Sequence, residues 1–247
     1  MRYLVRKFLV VFFARCPKTI RKHFIYFLSE AVCSKRESRE VLKELFNFID
    51  IIDGFLDRES IRYEGGIHPK HRLTDYHRFF CDRINHGEKV LDVGCGYGSV
   101  AASLAESGTL VTAVDLKKEN IEKAQEKYGH LEIEFFVMDV TRSIPTGSYD
   151  VIVLSNVLEH IEDRQLFLRK VTELIAPKRW LIRVPCINRD WKIPMRRELG
   201  ISYFSDPTHY TEYTVEQFKR EMSSNGLSVE TMILDWGEIW AEVKQNG

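Results

Sequence analysis

The stretch Val90-Leu91-Asp92-Val93-Gly94-Cys95-Gly96-Tyr97-Gly98 decides how this chain reads. An apolar strand runs into three glycines at alternate positions, and a helical pattern begins at Ser99. Glycine turns the backbone tightly and lets a ligand approach main-chain amides with no Cβ in the way. The loop stands at the carboxyl end of a strand, where ligands of open α/β sheets bind. A dinucleotide fingerprint would read GxGxxG. Here the position five beyond Gly94 is Ser99, and the third glycine arrives one place early as Gly98. Asp92, two residues before the first glycine, would repel a pyrophosphate and suits a cationic ligand.

Outward from the loop, short apolar runs alternate with helical segments. Lys89–Val93, Leu110–Val114, Ile133–Val137, Val151–Leu154 and Trp180–Val184 read as strands buried on both faces, the habit of parallel sheets. Ser99–Ser107, Lys117–Tyr128 and Glu162–Ile175 read as crossover helices between them. A last helix over Val215–Asn225 precedes two runs, Leu227–Leu234 and Glu238–Val243, joined by a hairpin-like Asp235-Trp236-Gly237 turn. The expectation is an α/β fold: a doubly wound, Rossmann-like, mostly parallel seven-stranded sheet with a C-terminal antiparallel hairpin. Residues 1–60 form an N-terminal helical appendage, 61–86 a connector with a leading helix through Tyr76–Ile84, and 87–247 the sheet domain. In the appendage, Ser34-Lys35-Arg36-Glu37 reads as a capping box for an amphipathic helix that ends near Asp53-Gly54.

The run Val90–Gly98 resembles the first motif of class I S-adenosylmethionine-dependent methyltransferases, and the resemblance extends over roughly residues 70–245. Asp115, in Ala113-Val114-Asp115-Leu116, matches the acid that binds both ribose hydroxyls in that family. Asp139 matches the acid that accepts from the adenine amino group, with Val140 donating its amide. Residues 150–163, DVIVLSNVLEHIED, match the fourth-strand motif, including Asn156 and Glu159-His160. The resemblance therefore implies S-adenosyl-L-methionine as cofactor. It places Asp92, Gly94, Cys95, Gly96, Gly98, Asp115, Leu116, Asp139, Val140 and Asn156 around it, with Arg72 at the methionine carboxylate. Cys95 reads as a small side chain that fits the loop, not as a nucleophile. No metal is called for, since no clustered His/Asp/Glu ligand set appears in the sequence.

The connection from Pro185 to Tyr213 is too long for a structureless link and reads as a segment covering the acceptor. Arg189, Trp191, Arg196, Arg197 and Tyr210 are its substrate-binding candidates, and the cations suggest a phosphate-bearing or carboxylated acceptor. His209, in Asp206-Pro207-Thr208-His209-Tyr210, is the candidate general base, because histidine titrates near neutrality. His160 either caps the helix that follows it or faces the methyl group. The expected reaction is O-methylation of a small molecule or a sugar or glycan precursor. A protein or nucleic-acid methyltransferase is disfavoured: the core is acidic, and Ser155-Asn156-Val157-Leu158 stands where an Asn/Asp-Pro-Pro-Tyr/Phe motif would follow the fourth strand. A non-catalytic cofactor-binding scaffold is the third reading.

Composition bounds these readings. The 247 residues are 44% hydrophobic and 29% charged, enough to bury a core, and no run reaches the ~18–20 apolar residues of a membrane span. Cys16, Cys33, Cys81, Cys95 and Cys186 are odd in number and scattered, which suits a reducing, cytoplasmic setting. Cations and acids balance at 36 each, so no global nucleic-acid footprint exists. The balance hides an asymmetry. Residues 1–29 hold seven cations and no acid, interleaved with Leu4, Val5, Phe8–Phe13 and Phe24–Leu28. Arg15 interrupts the apolar run, so a cleaved signal is not expected. Such a segment is either a lid or a peripheral contact with an anionic inner membrane surface, the latter suiting a lipid-linked acceptor.

Overall fold

A computed structural model describes residues 2–34 and 37–246. The chain divides into two compact units, Met1–His68 with Arg196–Ile201, and Pro69–Met195 with Ser202–Gly247.

The first unit is helical: α1 (Arg2–Arg15), α2 (Lys18–Cys33) and α3 (Ser38–Tyr63). The capping-box expectation is corrected here. Ser34 closes α2 in extended backbone, and its hydroxyl donates back to the carbonyl of Ala31. Glu37 is the residue before α3, with no side-chain cap, while Lys35 and Arg36 lie outside the described residues. The expected stop at Gly54 is also overturned, because α3 runs nine residues further. Phe55, Leu56 and Ile61 continue the apolar pattern beyond the glycine, and helical bonding carries through it. Among the described residues no helix is long and apolar enough to cross a membrane.

The second unit opens with two short helices, α4 (Lys70–Leu73) and α5 (Tyr76–Cys81), the latter three residues shorter than the periodicity predicts. The sheet domain follows in the order β1 (Lys89–Val93), α6 (Ser99–Glu106), β2 (Leu110–Asp115), α7 (Lys118–Tyr128), β3 (Ile133–Val137), β4 (Val151–Ser155), α8 (Arg164–Ile175) and β5 (Arg179–Pro185). After α9 (Lys192–Leu199) and α10 (Val215–Ser224) come β6 (Leu227–Asp235) and β7 (Glu238–Gln245). The seven strands lie in the order β3-β2-β1-β4-β5-β7-β6. The first five are parallel, and β7 pairs antiparallel with β5 and β6. This is the expected Rossmann-like sheet with its antiparallel hairpin. Trp236 and Gly237 both take positive φ, 51° and 75°, the requirement of a tight primed turn.

β1, β4 and β5 are buried on both faces, as central parallel strands are. β3 is not: it is the sheet's edge, and Glu134, Phe136 and Val137 are exposed. Two cores sandwich the sheet. One packs Leu91, Ile152, Ile182 and Trp180 against Phe167, Leu168, Phe218 and Met222. The other packs Val90, Val153 and Leu181 against Phe79, Phe80, Ala101 and Leu104. The reversal of strand order between β1 and β4 opens a crevice at their carboxyl ends.

Candidate functional site

The crevice is a cavity of about 200 Å³. Asp92, Gly94, Cys95, Gly96 and Tyr97 line one side, Ser155, Asn156 and Arg183 another, and Lys70, His71 and Tyr76 close it. A larger cavity of about 570 Å³, lined by Lys89, Leu110, Ile133 and Tyr149, lies at the amino ends of β1–β3, away from this chemistry.

Gly94 and Gly96 show why the loop has its sequence. At Gly94 (φ 65°) a Cβ would stand 2.6 Å from Val157 Cγ2. At Gly96 (φ 56°) a Cβ would meet nothing within 4 Å: the loop faces open space there and the backbone stays accessible. The amide of Gly96 donates to Asp115 Oδ2 at 2.9 Å, while Asp115 Oδ1 accepts from the Lys117 amide and Asn120 Nδ2. The end of β2 is thus tied to the glycine loop.

Asp92 lies under that loop with 1% exposure, and its Oδ2 has no hydrogen-bond partner. Burial, reinforced by the charge of Asp115, pushes its carboxyl up to about 8. A buried carboxyl oxygen left without a partner is costly unless a cation or donor meets it. Asn156 takes positive φ (56°) at the end of β4; its Nδ2 reaches Glu238 at 3.4 Å, and its buried Oδ1 has no partner. Burial also raises the Cys95 thiol above its usual range, which keeps it protonated and unreactive.

The remaining cofactor candidates are not among these lining residues. Asp139 accepts from the amide and hydroxyl of Thr141 and pairs with Arg142; the Thr141 hydroxyl holds its carboxyl below the usual range. Leu116 is exposed, Gly98 is buried at the start of α6, and Val140 packs against the core. Arg72 is exposed and does not line the crevice, whereas its neighbours Lys70 and His71 do.

Arg183, Tyr76 and the His71–His77 pair are residues that sequence reasoning missed. Arg183 is buried in β5, stacks 3.6 Å over the Tyr76 ring and pairs through two nitrogens with Glu238. His71 Nδ1 lies 2.9 Å from His77 Nε2 and 2.7 Å from the Tyr76 hydroxyl. An arginine inside the apolar run Trp180–Val184 is the signal in the sequence for this network.

His160 and His209 come together, ring centroids 4.5 Å apart. His160 does not cap α8, because Asp163 does so by accepting from the Leu166 amide. Instead His160 Nδ1 lies 2.9 Å from Thr208 Oγ1. His209 Nδ1 lies 3.0 Å from Glu212 Oε1. Glu212 is fully buried; burial opposes its charge, but hydrogen bonds from His209, Arg189 and Ser205 pull it down to about 2. Glu159, next to His160, has 0% exposure and both carboxylate oxygens unpaired; burial pushes it up to about 8.

The acceptor candidates divide. Arg189 is bound to Glu212 and to the Cys186 carbonyl, so it holds the segment together. Tyr210 donates its amide to the Glu159 carbonyl and leaves its ring exposed, and Trp191 is 70% exposed. Arg196 pairs with Asp50 at 2.5 Å and lies over the Phe46 ring, and Arg197 is exposed. Of the five, Arg189, Trp191 and Tyr210 belong to the second unit and Arg196 and Arg197 to the first.

Comparison with known proteins agrees with this architecture. A family profile described as a methyltransferase domain matches residues 66–232. The ubiquinone biosynthesis O-methyltransferase of Chromobacterium violaceum is 32% identical over 142 residues, 55% of this chain and 60% of that protein. Its namesake in Albidiferax ferrireducens is 29% identical over 199 residues, 76% of this chain and 75% of that protein. The chain thus spans about three fifths of the first relative's length and three quarters of the second's. Among solved structures, magnesium protoporphyrin IX methyltransferase from Synechocystis with bound SAH superposes with a TM-score of 0.57 at 19% identity. That match covers 72% of this chain and 83% of the other, a likeness of fold.

Proposed function

The chain belongs to the class I S-adenosylmethionine-dependent methyltransferases, and from that premise we propose that it methylates an oxygen of a small molecule. The observation that carries the cofactor reading is Asp92, a buried carboxyl whose Oδ2 has no partner, beneath a glycine loop that is open at Gly96. S-adenosylmethionine would supply a methyl group already activated on a sulfonium. Asp115 would hold the ribose, Asp139 and Val140 the adenine, and Asp92 and Asn156 the cationic end. Lys70 and His71, which line the crevice, are better placed for the carboxylate than Arg72. The relatives' names favour an oxygen acceptor, here a small molecule or a glycan precursor. His209, oriented by Glu212, and His160, oriented by Thr208, would manage the proton that the acceptor hydroxyl loses. Holding acceptor and methyl in line can lower the barrier by about 7–11 kcal/mol.

A lipid-linked acceptor is favoured by the surface of α1 and α2. Val10, Phe12, Ile20, Ile25, Phe27 and Leu28 are exposed there beside the cations Lys7, Arg15, Lys18, Arg21 and Lys22, a composition suited to an anionic leaflet. The cofactor reading is tested by calorimetry. S-adenosylmethionine should bind the wild type, and Asp115→Ala should weaken it by about 1–3 kcal/mol, the cost of leaving hydroxyls unpaired. Equal affinity in a folded variant would remove Asp115 from the site.

A further inference from the structure

Glu159, His160 and His209 form a cluster whose geometry suits more than proton transfer. One ligand atom from each residue lies within 4.8 Å of those of the other two. Bonds of about 2.0–2.2 Å at tetrahedral angles put donors about 3.3–3.6 Å apart, a span the three side chains would reach by drawing together around an ion. Two imidazoles and a carboxylate are a donor set for a first-row divalent cation.

The surrounding hydrogen bonds set the ring nitrogens. The Thr208 hydroxyl has one proton and donates it to Asp206 Oδ1 at 2.5 Å, so it accepts from His160 Nδ1–H. Glu212 Oε1 can only accept, so it takes Nδ1–H of His209. Each ring is left with Nε2 as its lone-pair atom, and each is oriented by an oxygen acceptor, the arrangement that ligating histidines adopt. The third donor points the same way. Glu159 is fully buried with both oxygens unpartnered, while Arg183 is committed to Glu238 and Arg189 to Glu212. A buried carboxyl with both oxygens unpartnered, beside two lone-pair nitrogens, is a set of donors that a cation would satisfy.

We propose that Glu159, His160 and His209 hold a divalent transition-metal ion at the carboxyl edge of β4. The site follows Asn156, which lines the crevice, by only three residues in the chain. The role of the ion rests on the methyl-transfer reading: its charge would stand beside the acceptor oxygen and make that hydroxyl easier to deprotonate. The two histidines would then act on the acceptor through the ion, not as free bases.

The test is titration of the full chain with Mn²⁺, followed by loss of the hydrated ion's paramagnetic resonance signal. Saturation at one equivalent is expected. Glu159→Gln should weaken Mn²⁺ binding by at least tenfold. Thr208→Val, at an exposed position, should weaken it by about tenfold by releasing the His160 tautomer. Calorimetric affinity for S-adenosylmethionine should be unchanged in both variants, which also shows that they are folded. If the wild type binds the cofactor but takes up no Mn²⁺, or if Glu159→Gln binds Mn²⁺ as well as the wild type, the metal site is overturned and the methyltransferase reading stands. If Mn²⁺ saturates the site and no cofactor binds, the site stands and the methyl-transfer reading falls.

Discussion

At the scale of single residues, polar groups that no neighbour satisfies gather at the proposed site. Asp92, Asn156 and Glu159 supply four of the five buried unpaired side-chain atoms found among the described residues, and they lie along the ends of β1 and β4. His209→Asn should lower turnover by about 10²-fold or more while cofactor affinity stays near wild type. Turnover within a factor of two of wild type would take the acceptor's proton away from this histidine. A second prediction concerns acid stability. Burial, with the charge of Arg183, pushes His77 down to about 4, opposed only by Asp75; His71 and the Ser103 hydroxyl are its hydrogen-bond partners. The unfolded chain takes up this proton near pH 6.5 and the folded chain only near 4. Stability from this group is therefore complete above pH 6.5 and is lost as pH falls towards 4. Urea midpoints at pH 7.5 and 4.5 should converge more for His77→Gln than for wild type; equal losses would clear His77.

At the scale of elements, periodicity located every strand to within a residue or two and failed where local chemistry pointed one way and packing another. Gly54 looked like a helix stop, yet apolar residues on both sides of it keep α3 continuous. A Cβ there would meet nothing within 4 Å, and φ is helical, so Gly54→Ala should stabilise α3 by roughly 0.5–1 kcal/mol. Helical circular dichroism through a thermal scan reads this directly, and a lowered midpoint would mean that Gly54 makes a contact the helix needs. Ser34 likewise had the pattern of an N-cap, but its hydroxyl bonds backward to Ala31 because α2 reaches it first. The edge position of β3 was invisible to periodicity, since Ile133-Glu134-Phe135-Phe136-Val137 is as apolar as a central strand.

At the scale of the whole molecule, the cationic apolar helices set this chain apart from a bare methyltransferase domain, whose profile begins only at residue 66. The charges at Arg2 and Arg6 lie outside the described side chains, but Lys7, Arg15, Lys18, Arg21 and Lys22 are exposed. Polybasic segments gain about 1 kcal/mol per cation near an anionic leaflet, screened by salt. The full chain should therefore float with anionic vesicles at low salt and release at high salt, and deletion of residues 1–29 should abolish flotation while cofactor binding persists. Flotation by the deletion variant, or none by the full chain, would refute membrane contact through these helices.

The sequence by itself determined the sheet, its topological class and the glycine loop, because strand periodicity, positive-φ glycines and strand-end acids are local properties that short-range physics writes into adjacent residues. It also carried Asp92, Asp115 and Asp139 at or just beyond strand ends, the positions from which they are proposed to reach the cofactor. Only the tertiary structure decided which side chains meet. Glu159-His160 follows β4 and His209 lies in the segment before α10, so their approach depends on the Tyr210–Glu159 backbone bond and the buried Glu212 clamp. In the same way, Arg196 reads as an acceptor cation until Asp50 and Phe46, far away in the chain, are found to hold it. Contacts of this kind arise from packing over long sequence separations, which no local pattern encodes.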